Sequence, residues 1–192
     1  MTTLSIATYN IHKGFSHFNR RMVLHELRAR LRELNADIVF LQEVQGESNI
    51  NLHRHRNYPS LPQHEFLAYQ SWPHHAYGKN AIYDEGHHGN AILSRYPIAR
   101  WENQNISAHR FESRGLLHCE ISLPAVSQTL HCFCIHFGLF ERGRAVQLNA
   151  LVRRIQGMVP PDAPMIIAGD FNDWRNRASH LLMQELQLHE VF

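Results

Sequence analysis

Asp170 and Asn172 follow a short apolar segment and carry side chains that suit metal or phosphate chemistry. The apolar run 165–168 ends at Gly169, a pattern typical of a short buried strand followed by an exposed turn. Two residues apart on extended backbone, the two side chains point the same way. A carboxylate beside an amide can hold a divalent metal, orient a water or bind a phosphoryl oxygen. Asp and Asn also form ordinary turns, so a purely structural interpretation stays open here.

Two earlier predicted strands also end in polar side chains. The segment Asp37 to Val44 has a continuous apolar centre that Gln42 and Glu43 interrupt. A carboxylate at the end of a buried strand is costly unless it is paired, hydrogen-bonded or bound to a metal, which favours a functional Glu43. Asn10 follows the alternating strand Leu4 to Tyr9, where an Asn is usually a turn former.

A fourth strand, predicted over residues 129–137, ends near His136. Its alternation places Cys132, Cys134 and His136 on one face. Three ligands on one extended strand spread over about 13 Å and cannot meet at one zinc ion. The two Cys are therefore interpreted as small core residues, whereas His136, last on the strand, can reach out of the core.

The ends of these four strands therefore carry Asn10, Glu43, His136 and the Asp170 and Asn172 pair. Their oxygen and imidazole groups are hard or borderline ligands. Such a set suits a magnesium-type site next to a phosphate.

The remaining patterns predict the elements that position these residues. Apolar stripes predict amphipathic helices over 19–34, with Asn19 as N-cap, and over Glu141 to Met158, and residues 178–188 also read as helical. Residues 98–106 and 114–123 fit two more strands, and a loop at Gly86 enters another. Pro124 and Ser127 mark a hairpin connection.

Residues 45–77 are polar and rich in His, Asn and Pro, which predicts a long excursion with one short helix near Gln63 to Tyr69. Paired His such as His74 and His75 indicate metal binding in some proteins. No Cys or carboxylate completes a zinc pattern here at the usual spacing, so a zinc site in this segment is disfavoured.

Composition is that of one globular domain, predicted over residues 1–192, with 44% hydrophobic residues and a net charge of only +2. The charge balance argues against a disordered chain or one that coats nucleic acid. Three Cys do not make a disulfide framework, which predicts a reducing compartment. We expect a cytoplasmic protein, because no leader pattern and no apolar run of about 20 residues is present.

Five segments together resemble successive motifs of the endonuclease/exonuclease/phosphatase superfamily. They occur in the family's order and span most of the chain: Thr8-Tyr9-Asn10-Ile11, Leu41-Gln42-Glu43-Val44, the run from Gly89-Asn90 to Pro97-Ile98, His136-Phe137-Gly138-Leu139 and Gly169-Asp170-Phe171-Asn172. One such motif alone is weak, but five in order indicate the family and say little about the substrate.

The resemblance implies a four-layered α/β/β/α sandwich of two mixed sheets. It implies a phosphodiesterase or phosphatase that uses Mg²⁺ or Mn²⁺ and attacks phosphorus in line with water. Glu43 would bind the metal, and Asn10 would lie in the metal's shell or on the phosphate. Asp170 would orient or deprotonate the water, Asn172 would hold a phosphoryl oxygen, and His136 would donate to the phosphate. The resemblance also points to Asn90 and Arg144 as substrate-side residues, although a surface role for Arg144 stays open.

One departure from the family pattern is expected to matter. The family closes its site with a late Asp and a C-terminal His, whereas this sequence ends at Phe192, and neither His180 nor His189 has the motif context. The chain therefore looks truncated at its C-terminus, lacking the family's last strands. The alternative to an enzyme is an impaired relative that binds a phosphorylated ligand or a partner. The substrate, whether nucleic acid, a phospholipid head group or a small phosphoester, stays open.

Overall fold

The computed structural model describes residues 3–16, 21–84, 86–124, 128–174 and 176–191, without the side chain of Asn49. In chain order the elements are β1 (Ile6–Asn10), a 3-10 turn (His12–Gly14), α1 (Leu24–Leu34), β2 (Ile38–Ser48), α2 (Asn49–Arg54), α3 (Gln63–Ala68), β3 (His74–Tyr83), β4 (Gly86–Ser94), β5 (Ile98–Asn105), β6 (Gly115–Ser122), β7 (Thr129–His136), α4 (Glu141–Met158), β8 (Met165–Asp170) and α5 (Arg177–Leu186).

The strands form two mixed sheets of four strands each. The first has the order β1-β2-β4-β3 and the second the order β5-β6-β7-β8. The pairs β1·β2 and β7·β8 are parallel and the other neighbours are antiparallel. The carboxyl ends of β1 and β8, each parallel to its neighbour, carry Asn10 and Asp170.

Apolar side chains fill three layers of core, as expected for a four-layered sandwich. Between the sheets, the inner face of β2 packs Ile38 and Phe40 against Cys132 and Cys134 of β7. One outer layer joins the first sheet to α1 and α3. The other joins the second sheet to α4 and α5. The predicted α/β/β/α sandwich is confirmed.

The two faces of β7 pack in different layers of the core, which explains the alternation of its residue types. Cys132 and Cys134 face the other sheet, whereas Phe133 and Ile135 face the helices α4 and α5. All three cysteines are free and buried. The interpretation of the two Cys as core residues is confirmed, because burial among apolar side chains leaves them no route to a metal.

The excursion predicted over residues 45–77 is wrong at both ends, and the prediction also missed one helix. Strand β2 continues to Ser48, the helix α2 follows, and β3 begins at His74. The side chains of β3 alternate only weakly in polarity, so pairing with β4 decided its structure, not its own pattern. The short helix near 63–69 is confirmed as α3.

Two predicted boundary residues, Asn19 and Ser127, lie outside the described residues. The helix predicted over 19–34 begins later than predicted: α1 starts at Leu24 and ends at Leu34, and Asn35 follows as its C-cap with left-handed φ (53°). Among the described residues, no helix is long and apolar enough to span a membrane.

Candidate active site

The amide of Asn10 lies between two carboxylates that come from different sheets. Its Nδ2 donates to Glu43 Oε1 at 3.2 Å and to Asp170 Oδ2 at 3.1 Å. Asn10 ends β1 and Asp170 ends β8, so 160 residues of sequence separate two side chains in direct contact. The structure thus brings Asn10, Glu43 and Asp170 together at one edge of the sandwich.

Glu43 reaches this edge because β2 bulges there. Leu41 pairs with Ala91 and Val44 pairs with Gly89, so β2 has one residue more than β4 between these pairs. A bulge of this kind turns a side chain out of the regular alternation. As a result Gln42 is buried between the sheets, whereas Glu43 is only half-buried and faces the site.

His136 and Asn172 complete the edge on the side of the second sheet. His136 pairs with Asp170 in the β7·β8 register, and its Nε2 lies 3.7 Å from Asp170 Oδ2. Asn172 donates from its backbone N–H to Asp170 Oδ1 at 3.1 Å and from Nδ2 to the carbonyl of Phe137 at 2.9 Å. The loop after β8 therefore fixes the Asp170 carboxylate and the Asn172 side chain together.

Left-handed backbone is concentrated at this edge. The φ angles of four non-glycine residues here are positive: 47° at His12, 56° at Lys13, 54° at Glu43 and 49° at Asn172. Such a conformation costs about 1 kcal/mol or more per non-glycine residue. The surrounding structure holds these strained positions, which is a common property of catalytic sites.

The charge of Glu43 is stabilised in place. Burial by itself would raise the pKa of Glu43, but the hydrogen bond from Asn10 and the nearby His136 outweigh it and lower this pKa. His12 and Lys13 add to the effect, and His12 Nδ1 lies 3.4 Å from Glu43 Oε2. Glu43 is therefore an ionised, acceptor-only group at neutral pH.

Two histidines at the site, His136 and His88, are held neutral. Burial, reinforced by the charge of Arg114, lowers the pKa of His136. Burial, reinforced by Lys13, lowers the pKa of His88 to about 4. A neutral imidazole at pH 7 keeps one N–H donor and one acceptor, so His136 can donate a hydrogen bond without carrying charge.

The donor set fits a hard divalent cation. Two carboxylates converge on one side-chain amide, whose own oxygen is a further hard ligand if the amide turns over. Like charges brought this close favour a cation between them. Glu43, Asp170 and Asn10 are therefore the residues that could hold Mg²⁺ or Mn²⁺.

The side chain of Asn90 makes its hydrogen bonds in the inner core and not with Asn10, Glu43 or Asp170. Its side chain is buried between the sheets, where Nδ2 donates to the carbonyls of Gly115 at 3.1 Å and Cys134 at 3.3 Å. These contacts favour a structural role, because the amide hydrogens are both committed to protein carbonyls. Substrate binding by Asn90 stays a prediction that the placement does not favour.

Arg144 lies in the first turn of α4 and supports the loop after His136. Its Nη1 donates to the carbonyl of Leu139 and more weakly to that of Gly138 at 3.4 Å. Arg144 therefore holds the backbone of the loop that follows His136.

Sequence reasoning missed four basic residues near the site: His12, Lys13, His88 and Arg114. His12 and Lys13 lower the pKa of Glu43, Arg114 lowers that of His136, and His88 is neutral at pH 7. His12 and Lys13 directly follow Asn10, so their position in the first motif was an available signal. His88 and Arg114 reach the site only through the pairing of β4 and the approach of the loop before β6. No local pattern marks them.

The comparisons with known proteins agree with this architecture. A family model described as "Endonuclease/Exonuclease/phosphatase family" matches residues 7–191. The uncharacterized protein YbhP of Escherichia coli strain K12 is 46% identical over 190 residues, covering 99% of this chain and 75% of YbhP. The chain belongs to the endonuclease/exonuclease/phosphatase family.

Solved structures share the fold at low sequence identity. An endonuclease/exonuclease/phosphatase protein from Beutenbergia cavernae DSM 12333 superposes with a TM-score of 0.76 at 18% identity, over 95% of this chain and 53% of that one. A family protein from Leptotrichia buccalis superposes with a TM-score of 0.70 at 15% identity, over 95% of this chain and 73% of that one. The chain therefore spans about half the length of the first of these structures.

Proposed function

We propose that this protein hydrolyses a phosphoester, with a phosphodiester as the preferred class, using a divalent cation held by Glu43 and Asn10. Family membership supports a hydrolase of the phosphoesterase type. The observation that carries the proposal is the contact of one amide, that of Asn10, with the carboxylates of Glu43 and Asp170.

Each residue at the edge has a task that its geometry supports. Glu43, ionised and half-buried, would bind the cation together with Asn10. When bound, Mg²⁺ or Mn²⁺ supplies positive charge that offsets the negative charge of the phosphoryl oxygens.

In this proposal, Asp170 acts on the attacking water. One backbone donor and one side-chain donor hold its carboxylate. The backbone N–H of Asn172 donates to Oδ1, and the side-chain amide of Asn10 donates to Oδ2. A carboxylate fixed in this way can orient a water for in-line attack and accept its proton.

In this proposal, His136 and Asn172 contact the phosphate. His136 is neutral and lies beside Asp170, so its N–H can donate to a phosphoryl oxygen as charge builds up. Lys13 and Arg114 add positive potential on the same side, which favours an anionic substrate.

The test is a comparison of purified variants on two generic probes, bis(p-nitrophenyl) phosphate and p-nitrophenyl phosphate, with Mg²⁺ or Mn²⁺ and with EDTA. Glu43→Gln and Asp170→Asn keep side-chain size and remove charge. We expect kcat/KM for the diester to fall by about 10²-fold or more in each. Glu33→Gln, an exposed change on α1, is the matched control and should leave the rate unchanged.

Unchanged hydrolysis in both site variants would refute the assignment of the site. Binding of inorganic phosphate by the wild-type chain without turnover of either probe would instead favour the alternative, a domain that binds a phosphorylated ligand. Faster turnover of the monoester than of the diester would change the substrate class but not the site.

A further inference from the structure

Three potential metal ligands lie together on the outer face of the second sheet, away from the site described above. His118 and Glu120 are two residues apart on β6, and His131 lies directly opposite Glu120 on β7. Along β7, His131 and His136 are five positions apart, which corresponds to about 17 Å, and the two side chains leave opposite faces. The cluster is therefore independent of the proposed phosphoesterase site.

The spacing of these ligands suits one metal ion. His118 Nε2 and His131 Nδ1 are 3.0 Å apart, and one atom from each of the three residues lies within 4.8 Å of the others. Two nitrogens bound to one tetrahedral zinc at 2.0–2.1 Å lie about 3.3 Å from each other. Small rotations of the two imidazoles would therefore bring both nitrogens onto a shared ion.

The imidazoles are also in the form that binds metals. Both rings are buried, and His118 stacks on Phe133 with ring centres 4.2 Å apart. Burial lowers the pKa of His118 to about 4 and also lowers that of His131. Neutral rings at pH 7 need lose no proton to coordinate an ion, only change which nitrogen carries the hydrogen.

Glu120 is available as the third ligand because its basic neighbours are occupied. Arg100 faces Glu120 in the β5·β6 register, and Arg154 of α4 lines the same cleft as Glu120. Both guanidinium groups form ion pairs with Glu102. The two arginines exceed the single Glu102 by one positive charge, so we expect weaker binding than at a site of four protein ligands.

From this arrangement we propose that His118, Glu120 and His131 form a binding site for a borderline divalent cation, zinc in particular. Two imidazoles and one carboxylate are typical zinc ligands, whereas Mg²⁺ prefers oxygen. A narrow cleft lined by Arg100, Trp101, Glu102, His118, Glu120 and Arg154 leads to two of the three ligands and has no room for a water molecule in this conformation. Glu120 is partly exposed, so an ion would enter from its side. The ion would cross-link β6 to β7, because its ligands come from both strands.

The experiment measures zinc bound per chain in the purified full chain by mass spectrometry after dialysis, together with the thermal unfolding temperature with and without Zn²⁺. Glu120→Gln removes the partly exposed ligand and leaves both buried rings in place. His131→Gln removes a nitrogen ligand. Glu43→Gln removes the proposed catalytic ligand, and Glu33→Gln is the surface control.

We expect one zinc ion per chain that Glu43→Gln and Glu33→Gln retain and that Glu120→Gln weakens at least tenfold. Zinc at a hundredfold excess over Kd should raise the unfolding temperature of the wild type by about 5 °C or more. Co²⁺ in place of zinc should give the visible absorption of a tetrahedral site in the wild type and not in His131→Gln.

Two results would overturn the proposal. One is that wild-type protein binds no zinc beyond that lost in Glu43→Gln, which would leave His118 and His131 as a hydrogen-bonded pair only. The other is that Glu120→Gln and His131→Gln, both folded by circular dichroism, bind zinc as tightly as the wild type. Neither result depends on whether the protein hydrolyses phosphoesters.

Discussion

At the scale of single residues, the site depends on one neutral amide between two charged groups. The Nδ2 group of Asn10 has two hydrogens and offers one to each carboxylate, while its Oδ1 accepts from the N–H of His12 at 3.1 Å. Asn10 therefore connects β1 to Glu43 of β2 and to Asp170 of β8. No other residue type of that size provides two donors and one acceptor without adding charge.

Asn10→Ala should therefore reduce catalysis more than stability. The variant leaves Glu43 and Asp170 without their shared donor, so their mutual repulsion rises and their geometry loosens. We expect kcat to fall by about 10²-fold and the Mg²⁺ concentration for half-maximal rate to rise. Rate measurements across a Mg²⁺ titration check this, and a variant with the wild-type rate and metal dependence would contradict it.

At the scale of elements, the two sheets are held in register by polar groups as well as by apolar packing. Gln42 of β2 donates to the Sγ of Cys134 on β7 at 3.4 Å, and Asn90 of β4 donates to backbone carbonyls of β6 and β7. These bonds cross the inner core close to the functional edge. They link the sheet that carries Glu43 to the sheet that carries Asp170.

Asn90→Ala should destabilise the protein by about 1–3 kcal/mol, because it leaves buried carbonyl groups without their donor. Urea unfolding monitored by circular dichroism measures this. Gln104→Ala, an exposed change on β5, is the control and should stay within about 0.5 kcal/mol of the wild type. If Asn90 binds substrate instead, KM would rise strongly at unchanged stability.

Gly169 positions Asp170 by allowing a close approach of two strands. Its φ is +150°, and a Cβ at this position would lie 2.0 Å from the carbonyl oxygen of Ile135 on β7. Any side chain there must push β8 away from β7 and move Asp170 away from His136.

Gly169→Ala should therefore lower the free energy of unfolding by at least about 2 kcal/mol and reduce activity in the protein that still folds. Gly157→Ala is the matched control: this glycine lies in α4, and a Cβ there meets nothing within 4 Å. We expect the control to stabilise the helix by about 0.5–1 kcal/mol. Thermal unfolding of both variants separates the two cases, and equal stabilities would contradict the close approach.

At the scale of the whole molecule, the fold buries several of its 16 histidines. Burial lowers the pKa of His64, His88 and His118 each to about 4, well below the ordinary value near 6.5. The unfolded chain therefore binds more protons than the folded chain between these two values. The stability from these neutral histidines is complete above about pH 6.5 and is lost as the pH falls towards 4.

Acid should accordingly destabilise the protein well before its carboxylates titrate. His64→Phe tests one contribution, because His64 stacks flat on Tyr77 with ring centres 4.6 Å apart and its Nδ1 is buried without a hydrogen-bond partner among the described residues. We expect the wild type to lose roughly 2 kcal/mol more than the variant between pH 7.5 and 5. Urea unfolding at these two pH values measures the difference, and equal losses would contradict it.

Zinc bound at the second sheet would also affect the stability of the whole molecule, since it would link β6 to β7 away from the proposed phosphoesterase site. The family alone gives no expectation for it. The comparison of zinc content in Glu120→Gln and Glu43→Gln separates the two proposed metal sites.

The sequence by itself determined most of the elements and the class of fold. Alternating strands such as β7, the apolar stripes of α1 and α4, and the turn after Gly169 are local patterns, because side-chain periodicity follows directly from backbone geometry. Spacing also predicted that Asp170 and Asn172 act together. Five motifs in order indicated the family, which the match over residues 7–191 shows.

Only the tertiary structure decided which residues meet. The contact of Asn10 with Asp170, the bulge that turns Glu43 outward and the burial of Asn90 all depend on how one sheet packs on the other. Strand β3 formed by pairing with β4, and His118 met His131 because of the β6·β7 register. Such contacts join residues far apart in the chain, and periodicity within a segment carries no information about them.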